Sequence, residues 1–171
     1  HDALPILDRA MYDWAVERLG QAGLPQYEIS NFARAGYECR HNLGYWANQP
    51  YLGIGPGAAS YCQGARVTNN PGIEQYVMAV ESGLPIPREV QPVEAADALC
   101  ETAILNLRRR AGIDLAAFAR RTGHDAMQTF AGPIRRYRDL GLIEVTADTV
   151  RLTVQALPIA DSILCDFATL E

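Results

Sequence analysis

Within eight positions, Cys39–Trp46 (CRHNLGYW), the sequence gathers a thiol, a guanidinium, an imidazole and two large aromatic rings. A neutral imidazole such as that of His41 is a good axial donor to haem iron. Flat rings such as Tyr45 and Trp46 pack on the face of a macrocycle. Arg40, or Arg34 just upstream, offers a cation to a propionate carboxylate. These residue types suit a metalloporphyrin. They also suit a turn that His41 caps and that the aromatics anchor to a core, because one histidine alone says little about metal binding. Cys39 has the same two readings: a thiolate ligand, or a small, partly buried loop thiol.

The other chemically capable residues are more dispersed. Glu28 and Glu38 lie near the segment, but nothing pairs them as acid and base. His124 stands between Gly123 and Asp125 and reads as a surface residue at a helix start. Gly53, Gly55 and Gly57 alternate within YLGIGPGAA (Tyr51–Ala59), whereas a dinucleotide fingerprint needs G-x-G-x-x-G between a strand and a helix. They are read as a strand end packed tightly against another backbone. Cys39, Cys62, Cys100 and Cys165 are too far apart for a zinc ribbon, and the cluster-binding pattern C-x3-C-x2-C is absent.

Hydrophobic spacing supplies the elements that must position these groups. Leu7, Met11, Trp14, Ala15, Leu19 and Ala22 predict an amphipathic helix that Gly23 stops. Gln26–Ser30 predicts a short strand at the edge of a parallel α/β sheet, its neighbours lying before residue 1. Asn31–Pro50 reads as a functional loop, and Ser60–Thr68 as a hairpin turning at Gln63-Gly64. Beyond Asn69-Asn70-Pro71 the periodicity becomes helical. Ile73, Tyr76, Val77 and Val80 line one helix face, and Leu84–Pro92 reads as an internal boundary. Ala96, Leu99, Cys100, Ala103, Ile104 and Leu107 form a continuous apolar stripe. Asp114 caps a short helix holding Leu115 and Phe118. Met127, Phe130, Ile134, Tyr137 and Leu140 predict another helix, which Pro133 either bends or begins. Leu142–Val145 and Thr149–Leu152 predict a hairpin, and Ile159, Ile163, Leu164 and Phe167 a last helix. Helix, helix, hairpin, helix is the order of a small winged-helix-like module.

Composition narrows the function classes. The chain has 171 residues, 49% hydrophobic and 20% charged, as an ordinary globular protein does. Its net charge of −5 argues against a general nucleic-acid binder. The arginine runs Arg108–Arg110 and Arg135, Arg136 and Arg138 are therefore read as solvated helix faces rather than a nucleic-acid surface. No export signal and no apolar run of about 18–20 residues is visible. The expected location is the cytoplasm, with reduced thiols. The chain opens on His1, which reads as a piece of a longer protein.

The segment YEISNFARAGYECRHNLGYW (Tyr27–Trp46) resembles the stretch that identifies HemW proteins, whose core is the motif HNxxYW, here His41, Asn42, Tyr45 and Trp46. YLGIGPGA, LRRRAGID (Leu107–Asp114) and the DLGLIEV…VRLT tail resemble the same family in the same order. Two departures stand out. Related sequences often carry His where this chain has Ala59, and the tail reads LTVQALP without the usual glycine.

The resemblance implies a fold of α/β plus α+β type. Residues 1–70 would be the C-terminal remnant of an incomplete (β/α) radical SAM barrel, with the HNxxYW loop and the glycine-rich strand and hairpin. Residues 71–171 would be a mainly helical, winged-helix-like domain. It implies a haem-binding chaperone or transfer protein, with His41 as the iron ligand and Asn42, Tyr45 and Trp46 around the haem. Phe32 and Ala33 would approach S-adenosyl-L-methionine, which only the complete protein would hold, together with a 4Fe-4S cluster. The implied partners are haem, an unidentified haem-receiving protein and, within the family, membrane-associated respiratory proteins. Oxygen-independent oxidation of coproporphyrinogen III is the alternative, and a winged-helix nucleic-acid module the third reading. The piece itself lacks the ligand triplet for radical chemistry.

Overall fold

A computed structural model describes residues 3–170, and for residues 3–6 only the helical backbone. The N-terminal part opens with helix α1 (Ala3–Gln21), followed by strands β1 (Gln26–Glu28) and β2 (Asn31–Phe32) and helix α2 (Arg40–Trp46). Next come β3 (Ala59–Cys62), β4 (Ala65–Asn69), α3 (Ile73–Glu81) and β5 (Arg88–Pro92). The remainder runs α4 (Ala95–Leu107), β6 (Ile113–Asp114), α5 (Leu115–Thr122), α6 (Ala126–Thr129), α7 (Ala131–Asp139), β7 (Ile143–Val145), β8 (Thr149–Leu152), a 3-10 turn (Val154–Ile159) and α8 (Ala160–Cys165). The class is mixed helix and sheet. No helix among the described residues is long and apolar enough to cross a membrane.

The buried core belongs to the second part of the chain. Leu107, Ile113, Phe118, Phe130, Val150, Leu152, Ile163 and Phe167 are all at most 1% exposed. The Phe118, Phe130 and Phe167 rings meet in sequence, with centroids 6.4 Å and 5.4 Å apart. Burying each such ring contributes roughly 1.5–3 kcal/mol. β6, β8 and β7 form a small antiparallel sheet in that order, closing over α4 and α7. Gly112 makes this closure possible. Its φ is +70°, and an added Cβ would collide with Val150 and Arg151. Asp114 caps α5 by accepting the N–H of Ala117 at 2.7 Å, as its place before Leu115 predicts.

Several expectations are revised. Asn31–Pro50 is not a continuous loop: it contains β2 and the helix α2. Gln26–Ser30 gives a strand of three residues, and its pairing in the structure is antiparallel, with β2. The tight return is stabilised by Glu28, whose Oε1 accepts the Ser30 N–H at 3.1 Å and an N–H of Asn31. The 127–140 helix is two helices that break at Phe130, and Pro133 sits in the first turn of the second, where its missing N–H is tolerated. Leu84–Pro92 contains β5, which pairs with β4 along Ala65–Asn69 and so bridges the 70/71 division. The β3–β4 hairpin turns at Gln63-Gly64 as expected, both residues at positive φ. In LTVQALP, where the glycine is missing, Leu152 ends β8 and the 3-10 turn begins at Val154.

Two predicted apolar faces are less buried than their spacing suggests. On α1, Leu7, Met11 and Trp14 are exposed, while Tyr12, Ala15 and Leu19 are half-buried. On α3, Ile73, Val77 and Val80 are exposed and Ala79 is the buried residue. Periodicity locates a helix, but it does not say which part of an apolar arc finds a neighbour.

Candidate functional site

The motif is helical because the chain can close the turn behind it. Asn48 adopts φ +51°, its N–H bonds to the Tyr45 carbonyl at 2.8 Å, and the Gln49 N–H bonds to the Gly44 carbonyl at 2.9 Å. This pair of bonds is a Schellman closure, with asparagine in the left-handed position that glycine usually fills. The same Asn48 is buried, and its Nδ2 donates to Thr102 Oγ1 on α4 at 3.0 Å. Arg121 on α5 donates to the Asn48 carbonyl.

α2 is thus fastened to α4 at its C-terminal end. Asn106 Nδ2 donates to the Trp46 carbonyl at 3.0 Å. The Arg108 guanidinium lies 5.2 Å from the Trp46 ring centroid, a cation–π contact, and bonds to Asp161 at 3.1 Å. Arg108–Arg110 is consequently not a free basic face. The Ile29 N–H bonds to the Arg108 carbonyl and the Arg110 N–H to the Tyr27 carbonyl, so β1 grips the end of α4 from the other side. Burial holds the Arg110 guanidinium below its ordinary value, and neighbouring Arg151 adds to that effect. Glu28 is fully buried in this joint: its Oε1 accepts from Ser30 and Asn31, and its Oε2 has no partner among the described residues.

His41 stands on the outer side of α2 and is exposed. Its ring meets Tyr45 edge-on at 4.6 Å, and Tyr45 meets Tyr51 in the same way at 4.6 Å. A cavity of about 180 Å³ is lined by Arg40, His41, Gly44, Tyr45 and Tyr51. A second, of about 550 Å³, shares Arg40, His41 and Gly44 and reaches Arg109. Asn42 is half-buried on α2, and Cys39, exposed, precedes its first turn. Among the described residues no three His, Cys, Asp or Glu side chains are grouped to hold a bare metal ion. A lone imidazole beside aromatic rings suits a metal whose other positions a macrocycle fills.

The structure brings His41, Asn42, Tyr45 and Trp46 onto one helix. Phe32 and Ala33 belong to a different unit: Phe32 is in β2, and the Ala33 N–H bonds to the Pro25 carbonyl at 3.1 Å. His124 lies apart, beyond the α5 cap. Sequence reasoning missed Tyr51, Gln49 and Arg109 as neighbours of the motif. Tyr51 could have been suspected from its position at the head of the glycine-rich run. Arg109 could not, since its approach depends on how α4 meets α2.

The fold is that of the HemN type. Residues 93–159 match the family described as HemN C-terminal domain. The structure of coproporphyrinogen III oxidase (HemN) from Escherichia coli superposes with a TM-score of 0.66 at 18% identity, covering 92% of this chain and 40% of that one. In sequence the chain is HemW-like. It is 36% identical to heme chaperone HemW of Bacillus subtilis over 85% of its own length and 38% of that protein's. It is 43% identical to heme chaperone HemW of Synechocystis over 65% of its length and 28% of that protein's. The chain therefore spans less than half the length of these relatives.

Proposed function

We propose that this chain is the haem-binding part of a haem chaperone and that His41 supplies the axial nitrogen to the iron of its cargo. The observation that carries the reading is the HNxxYW segment folded as a helix anchored to α4, with the exposed His41 lining a cavity. A ligand residue for a cargo that must be released needs access from solvent and a rigid mount, and α2 has both. Tyr45 holds the imidazole edge-on and presents aromatic surface to the macrocycle. Trp46, under Arg108, fixes the helix at the porphyrin's margin, with Asn42 on the same helix beside it.

On this reading residues 1–70 are the end of an incomplete radical SAM barrel, and residues 71–171 a winged-helix-like domain of a cytoplasmic protein. The sheet β3–β4–β5 joins the two. Phe32 and Ala33, at the C-terminal end of β2, would face S-adenosyl-L-methionine in the complete protein. The C-x3-C-x2-C pattern that would hold a 4Fe-4S cluster is absent from this sequence. The receiving protein is a haem acceptor, membrane-associated respiratory proteins being the family's suggestion. Coproporphyrinogen oxidation stays as the second reading because of the HemN fold.

A haem titration followed by absorbance tests the proposal. His41→Ala is expected to weaken binding and shift the Soret band, while His124→Ala leaves both unchanged. An unaltered spectrum and affinity in His41→Ala would remove His41 as the ligand and turn attention to Cys39. Formation of protoporphyrinogen from coproporphyrinogen III by a complete protein would favour the second reading.

A further inference from the structure

Arginines without a carboxylate partner converge beside His41. Arg40 and Arg109 line the 550 Å³ cavity together with His41 and Gln49. Arg109 and Gln49 also line a cavity of about 360 Å³, whose other walls include Arg120 and Arg121. Among the described residues the ion pairs are made by Arg9, Arg66, Arg108, Arg136, Arg138 and Arg151, and by none of these four. Arg121 spends one N–H on the Asn48 carbonyl. The acid lining the smaller cavity, Asp114, already accepts the Ala117 N–H as a helix cap.

This gathering of positive charge occurs in a chain of net charge −5, so it is not a by-product of composition. Arg109 adds a second, independent sign. Its Nε is buried and has no hydrogen-bond partner among the described residues, a state it shares with Arg108 Nε and with Oε2 of Glu28, its bridge partner; of these three residues, Arg109 is the one that lines the cavity with His41. A buried donor left unpaired is destabilising, and such groups call for a partner that completes them. The guanidinium fork matches a carboxylate in particular, giving two parallel charge-assisted hydrogen bonds. The 550 Å³ cavity has arginines and no acid in its lining, and a cleft lined by one sign of charge concentrates ligands of the opposite sign.

A porphyrin such as haem carries its two carboxylates on one edge of a flat ring. We infer that Arg109, assisted by Arg40, binds those carboxylates, so that the chain selects tetrapyrroles with free acid groups and seats the acidic edge toward the end of α4. This rests on the reading of the His41 cavity as a porphyrin site, and it assigns the orientation and selectivity that His41 alone leaves open. The iron-ligating nitrogen and the carboxylate clamp then come from two different elements, α2 and the turn after α4.

The test compares iron protoporphyrin IX, metal-free protoporphyrin IX and the dimethyl ester of each, titrated against the unaltered chain and followed by absorbance and fluorescence. The diacids are expected to bind roughly tenfold or more tightly than the esters, as the loss of a charge-assisted pair implies. Arg109→Ala should weaken diacid binding by about the same factor and leave ester binding unchanged. Arg109→Lys should restore part of the difference, and Arg135→Ala should change neither. Equal affinity for acid and ester in the unaltered chain overturns the clamp while leaving haem binding intact. Should Arg109→Ala fail to fold by circular dichroism, that acid–ester comparison still decides. Selection of acid over ester with iron adding nothing would keep the clamp and remove the iron-ligand reading. No binding of any porphyrin removes both.

Discussion

Tyr137 shows how one side chain carries its surroundings into a measurable property. Its hydroxyl donates to Asp166 Oδ2 at 2.8 Å, beneath the Arg136 guanidinium, which also bonds Asp166 at 2.8 Å. Burial first, and then the bond to Asp166, hold the phenol above its ordinary value of 10.0. The folded state thus favours the neutral hydroxyl more than the unfolded state does. The stability this gives is complete below about pH 10 and is lost as pH rises through the folded value. Urea unfolding across the alkaline range should show stability falling above pH 10, and Tyr137→Phe should flatten that fall. The phenylalanine variant should also lose about 1 kcal/mol at neutral pH, the usual worth of such a bond. An identical alkaline slope in both proteins would mean that another group governs it. At this scale the sequence reveals residue types, and the grouping of His41, Tyr45 and Trp46 as one candidate cluster is legible in it. The solvated face that the Arg108–Arg110 run suggests is not what forms, because nothing in an arginine run announces a tryptophan ring or a cavity wall.

α2 is the element on which the site depends, and Asn48 is its weakest substitutable point. An alanine there would have to hold a left-handed backbone, at a cost of roughly 1–2 kcal/mol, and would forfeit the bond to Thr102, worth about 1 kcal/mol. Asn48→Ala is therefore expected to destabilise the chain by about 2–3 kcal/mol and, on the proposed reading, to weaken haem binding with it. Asn48→Gly accepts the backbone and should lose only the side-chain share. Equilibrium denaturation of the two variants checks the order, and equal losses would show that backbone conformation is not the issue. The spacing rules found α1, α3, α4, α5, the β3–β4 hairpin and the β7–β8 pair. They missed α2 because seven residues make too short a window for a helical period, and because its closing residue is asparagine rather than glycine.

Over the whole molecule, burial is uneven. The main cluster runs from Leu99 to Phe167, with Tyr12 and Ile29 packed against it from the N-terminal part. α1 and α3 present Leu7, Met11, Trp14, Ile73 and Val77 to solvent. Local opening follows the number of buried contacts. Native-state hydrogen exchange should therefore find the slowest amides in α4, α7 and β8 and much faster exchange in α1 and α3. Equal protection along the chain would contradict this division of stability. α2 lies between the two regimes, its C-terminal end tied to the slow part through Asn106, Thr102 and Arg108.

The sequence by itself determined the chemistry available at CRHNLGYW, the helices and hairpins whose apolar periods are long enough to read, the capping role of Asp114 and the mixed class. These follow from local geometry, since a period of 3.6 or 2 and a cap are properties of a few adjacent residues. Only the tertiary structure decided that the motif is a helix, that Trp46 lies under Arg108, that Glu28 is sealed in a backbone joint, and that Arg109 reaches the cavity beside His41. Each of those facts joins residues 54 to 83 positions apart, or depends on such a join. Contacts across that separation are fixed by which surfaces pack, and packing is set by the whole chain rather than by any window of it.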